Sequence, residues 1–124
     1  AYEICACLVG SEMCIRDSPQ PPDAILAMND TLAFAAMEVI KRHGLRIPDD
    51  IAIIGYTDEQ HANYVEPKLS AVSHQTYKMG ETACQLLIDQ IKGDRTVKQV
   101  VIPTHLQIRE SSIKENNKKN AVST

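Results

Sequence analysis

Two short apolar runs, Ala24-Ile25-Leu26-Ala27-Met28 and Ile51-Ala52-Ile53-Ile54, each end abruptly in small or polar residues. Asn29-Asp30-Thr31 follows the first and Gly55-Tyr56-Thr57-Asp58 the second. Runs apolar on both faces are the signature of strands inside a parallel sheet, whose crossover helices cover both of its sides. The stretch between them reads as such a helix. Leu32, Ala36, Val39 and Ile40 form an apolar stripe at near-helical spacing. Asn29 or Asp30 can accept hydrogen bonds from the free N–H groups of a first turn, and Lys41, Arg42 and His43 suit the negative end of the helix dipole. Gly44 supplies the left-handed residue that ends it. The spacing thus predicts a helix over 31–43, after which Ile47-Pro48-Asp49-Asp50 turns the chain into the second strand. Such β-α-β units are right-handed in about 98% of cases, and ligands of open α/β sheets sit beyond the carboxyl ends of the strands. Both polar clusters fall there, so a small-molecule site is expected.

Downstream, Leu69 to Ser73 alternates like a strand. Gly80, Ala83, Cys84, Leu87, Ile88 and Ile91 then repeat at the spacing of an amphipathic helix starting at Thr76. Gly93-Asp94 stops it, Val97 to Ile102 reads as a further strand broken by Pro103, and His105 to Ile108 as a short extended segment. After Arg109 the chain is polar with almost no core formers, and a disordered tail is expected, residues 113–124 above all. No stretch is long and apolar enough to span a membrane. The net charge of −3 announces no basic face for nucleic acid.

The first 18 residues differ from the rest. They hold Cys5, Cys7 and Cys14 at a spacing that matches no common zinc motif, and no histidines lie nearby. Glu3 and the short run Ile4 to Val9 do not make a secretory signal. The string CLVGSEMCIRDS looks like translated adapter DNA, so residues 1–18 are expected to be a non-native leader that packs on nothing. That leaves Cys84, on the apolar helix face, as a buried structural thiol in a reducing compartment.

Catalytic motifs are missing. There is no nucleophile elbow, no H-E-x-x-H, no glycine-rich phosphate loop, and His61 and Glu59 are only loop neighbours. The expectation is a chain that is not an enzyme and needs no cofactor or metal.

Residues 22–112 carry five motifs in order: the A-x-N-D strand end, the H-G-L-x-I-P-D-D-I turn, the G-Y-x-D strand end, P-x-L-S-x-V, and a closing I-P-x-x-L-x-x-R-x-S. Together they resemble the C-terminal part of the effector-sensing domain of LacI/GalR-family bacterial transcriptional regulators. The resemblance implies an α/β fold, a parallel-sheet, three-layer fragment of a periplasmic-binding-protein-like type I sensor, over 19–112. It also implies a helix-turn-helix headpiece and a first lobe that precede this segment. On that reading Leu69 to Gln75 crosses a hinge, the 76–91 helix packs in the other lobe, and the chain returns near Pro103. The expected whole is a cytoplasmic homodimer that binds a sugar-like effector between its lobes and operator DNA through the headpiece. A secreted sugar-binding protein of an uptake system with the same fold is the alternative.

Four residues are carried onto the half-cleft by the resemblance: Asn29, Thr57, Asp58 and His74. Asn29 suits sugar hydroxyls, having two donors and an acceptor, and equally suits a helix cap. Asp30 reads as a cap. Thr57 stands where many members carry an Asp that grips hydroxyl pairs, so a charged bidentate acceptor is replaced by one neutral hydroxyl. Asp58 keeps the usual acidic position or completes the loop. His74-Gln75 replaces the family's frequent Gln-Pro, which sets His74 to face the cleft or to serve in the structure.

Overall fold

The computed structural model of the chain describes residues 4–7 and 21–114. The anticipated β-α-β unit is its centre. Strand β1 spans Ile4–Cys7, β2 Ala24–Ala27, helix α1 Asp30–Arg42, β3 Ala52–Gly55, β4 Ser70–Ser73, helix α2 Thr76–Ile91 and β5 His105–Gln107. They form one five-stranded sheet in the order β1-β2-β3-β4-β5, parallel throughout except for β5, which runs antiparallel to β4. The α/β class expected from the apolar runs is the class observed.

Helix α1 begins where Asn29 caps it. The Leu32 N–H donates to Asn29 Oδ1 at 2.8 Å, with Asn29 itself in extended backbone. The helix ends in the paired bonds of a glycine C-cap: Gly44, at φ +72°, donates to the Lys41 carbonyl, and Leu45 reaches back to Ile40. Its buried face is Ala33, Ala36, Met37 and Ile40, about one residue round from the expected stripe, with Leu32 and Val39 half-buried at the flanks. Two alanines on that face let the helix lie close to the sheet. Against it pack Ile25, Ile51, Ile53 and Leu69, each at most 2% exposed. Burying one such side chain contributes about 1.5 to 3 kcal/mol, so this layer is where the stability resides.

Four expectations are corrected. The leader does not pack on nothing: Ile4–Cys7 pairs with β2 in the register Ile4↔Ala24 to Cys7↔Ala27. An apolar run satisfies the backbone edge that β2 would otherwise leave open. The stretch Val97 to Ile102 forms no strand, and Val97, Val100 and Val101 are exposed. Apolar alternation makes a strand only where an edge is available to pair with, and His105–Gln107 takes the edge of β4 instead. Chain after Arg109 is ordered as far as it is described, through a 3-10 turn at Glu110–Ser112, while 115–124 lie outside the described residues. Cys84 is exposed, because α2 buries none of its residues.

Candidate functional site

Beyond the carboxyl ends of three adjacent parallel strands, β2, β3 and β4, stand Asn29, Thr57 with Asp58, and His74. The topology therefore gathers at one edge what the sequence spreads over 46 positions, from 29 to 74. Direct bonds link the clusters. The Asp30 N–H donates to Thr57 Oγ1 at 3.2 Å, and Asp30 accepts in return from the Thr57 N–H on Oδ1 at 3.2 Å and the Glu59 N–H on Oδ2 at 2.6 Å. Asp30 is fully buried and is not the helix cap; that position is Asn29's. Its carboxylate serves the neighbouring strand end, because two loop N–H groups converge on it and a buried charge needs such donors.

Asn29 uses its side-chain oxygen in the cap, which leaves the amide nitrogen as the donor it can turn to a ligand. Thr57 accepts with its oxygen and retains its hydroxyl proton. Asp58 sits at φ +60°, a left-handed conformation that Asp tolerates better than most residues. That conformation directs its carboxylate to Arg109, whose Nη2 donates to Oδ1 at 2.7 Å. His74 is half-buried. Its ring meets Tyr56 edge to face, centroids 4.6 Å apart at 88°, and its Nε2 is buried without a hydrogen-bond partner among the described residues.

Two neighbours of the site, Tyr56 and Arg109, stand in motifs of the sequence, but spacing does not place them at the site. Tyr56 is the aromatic of G-Y-x-D, directly after the strand glycine, and 38% of it is exposed. Arg109 is visible as the fixed Arg of the closing motif, without its partner. The same motif supplies Ser111, whose hydroxyl donates to the Ile53 carbonyl at 2.7 Å and accepts from the Ser70 N–H at 2.8 Å. Farther along, Gln75 Nε2 donates to the Pro103 carbonyl at 2.5 Å, which joins the two segments expected to run through the hinge.

With both carboxylates of the strand ends engaged by the protein, the cluster offers an amide, a hydroxyl, a phenol and an imidazole. Such a set can donate hydrogen bonds to hydroxyl groups and accept them. Among the described residues no helix is long and apolar enough to cross a membrane. A separate, mainly apolar hollow of about 260 Å³ lies between α2 and the 100–102 segment, lined by Met79, Thr82, Ala83, Leu86, Val100 and Ile102.

Comparison with known proteins matches residues 3–112 to the periplasmic binding protein-like domain. The chain is 39% identical over 98 residues to the HTH-type transcriptional regulator CelR of Thermobifida fusca, covering 78% of this chain and 29% of that protein. Among solved structures it resembles a transcriptional regulator CelR–cellobiose complex (TM-score 0.76, 35% identity, 82% of this chain and 31% of that one). It also resembles a LacI family transcriptional regulator from Enterococcus faecium with bound ribose (TM-score 0.75, 28% identity, 83% and 39%). The chain thus spans about a third of the length of the proteins it matches.

Proposed function

The chain belongs to the periplasmic binding protein-like family, on the branch of LacI-type transcriptional regulators, and from that premise we propose that it is effector-sensing sequence of a DNA-binding regulator, not an enzyme. Its strand ends form one half of a cleft for a hydroxyl-rich molecule of the sugar or sugar-derivative class. The observation that carries this reading is the cluster itself: Asn29, Thr57 and His74 at three neighbouring strand ends, with the His74 Nε2 buried and unpaired among the described residues. Sugars bound to two similar regulators, cellobiose and ribose, agree with it.

In the intact protein the effector favours one arrangement of two lobes, and a homodimer in the cytoplasm passes the change to paired headpieces on operator half-sites. Coupling of this kind is worth about 1 to 3 kcal/mol. Thr57 sets the ligand class, because its single hydroxyl replaces a carboxylate that would repel anions. Thr57→Asp is therefore expected to strengthen binding of neutral sugars and weaken binding of acidic ones in calorimetric titrations. Equal effects on both classes would count against this placement. The coding sequence upstream tests the wider reading: a helix-turn-helix supports the regulator, and a secretory signal supports an uptake protein instead.

A further inference from the structure

Arg109 lies between the strand-end loop and the start of β4, and its guanidinium serves both. Nη2 donates to Asp58 at 2.7 Å and Nη1 to the Leu69 carbonyl at 2.6 Å, while the Arg109 N–H donates to Ser70 Oγ at 2.7 Å. The ion pair is well out of water, its side chains 17% and 15% exposed. Only a planar fork of donors lets one cation reach two acceptors that belong to different segments; a single ammonium cannot hold both in the same geometry. On its other side the loop is held by Asp30, which accepts from Thr57 and Glu59. Residues 57–59 are thereby clamped between the start of α1 and the segment after β5, and the left-handed Asp58 persists because both anchors demand it.

We propose that Arg109 is the positioning residue of the strand-end site: through Asp58 it holds the 57–59 loop in the arrangement that presents Thr57 and Tyr56, and ties that loop to β4, which leads to His74. The proposal rests on the reading of Asn29, Thr57 and His74 as effector contacts. It gives Asp58 a role in the protein and not on the ligand. A ligand that displaces Thr57 would, through the same guanidinium, pull on the Leu69 carbonyl and so on β4.

Amide hydrogen exchange on the 124-residue chain tests this with no effector added. Arg109→Lys keeps the charge and loses the fork; Asp58→Asn keeps the shape and loses the ion pair. Each is expected to speed exchange about ten-fold or more at Thr57, Glu59 and Ser70, and to leave Met37 and Ile40 of α1 within about two-fold of wild type. The double variant should exchange no faster than the quicker single one, since both remove one interaction. An unchanged loop, equal acceleration in α1, or effects that multiply in the double variant would each overturn the proposal. Titration of the full-length protein with cellobiose and ribose keeps the two readings apart. A loop that loosens as expected, in a full-length protein that binds neither sugar, supports Arg109 as the clamp and counts against the sugar site.

Discussion

Replacing Gly55 by alanine sets a methyl group against the carboxylate that organises the strand ends. A Cβ at position 55 falls on Asp30 Oδ1, 3.1 Å from Asp30 Cγ and 3.0 Å from Leu69 Cδ2. Asp30 has nowhere cheap to go, because it is fully buried and both of its oxygens hold loop N–H groups. Overpacking a closed interior costs about 1 to 3 kcal/mol. Losing a hydrogen bond to a charged acceptor adds about 1.5 to 3 kcal/mol. The expected destabilisation is therefore about 2.5 to 6 kcal/mol, a large part of the roughly 5 to 15 kcal/mol that stabilises an ordinary domain. Urea unfolding followed by far-UV circular dichroism measures it, and a double-mutant cycle makes it specific. Asp30→Ala removes the obstacle, so Gly55→Ala in that background should cost less than about 1 kcal/mol, with only the Leu69 contact remaining. Additive effects would refute the claim that the glycine exists to make room for Asp30.

Deleting residues 1–18 strips β1 from β2 and should cost about 1 to 3 kcal/mol of stability; a change below about 0.5 kcal/mol would mean that the strand contributes nothing. Cys84 should react with a maleimide in the folded chain at nearly the rate seen after unfolding, whereas protection would place a partner surface over α2. Arg46 hydrogen bonds hold the Asp50 carboxyl below its ordinary value, so this contact stabilises above the unfolded pKa of about 3.9 and is lost as pH falls through the lower folded one. Asp50→Asn should flatten the fall of Tm below about pH 4, and an unaltered acid slope would contradict the assignment.

What the sequence makes legible is local. The helix expected over 31–43 is found at Asp30–Arg42, because cap, stripe and terminal glycine all lie within one stretch of chain. Of the two readings of Asn29, the cap is the one observed: its oxygen accepts from the Leu32 N–H, and its nitrogen is left for the ligand contact proposed above. Asp30 reads as a cap from the sequence because its partners, Thr57 and Glu59, are 27 and 29 positions away, beyond the reach of spacing arguments. The Asp58–Arg109 pair spans 51 positions and is hidden for the same reason, as is the Tyr56–His74 contact. Val97 to Ile102 fails for a different cause. A strand is completed by its neighbour, and alternation alone does not say whether one is present.

Asn29→Ser in the full-length protein tests the central claim most directly. Serine keeps the oxygen that caps α1 and removes the amide nitrogen, so the thermal midpoint should hold while affinity for the cognate sugar, sought by calorimetry with cellobiose and ribose, falls by about 1 to 3 kcal/mol. Gln60→Ala, an exposed change in the adjacent loop, should leave affinity where it was. Unchanged binding in Asn29→Ser, or an equal loss in Gln60→Ala, would mean that the strand ends are a cap and a loop, and that the effector is read elsewhere.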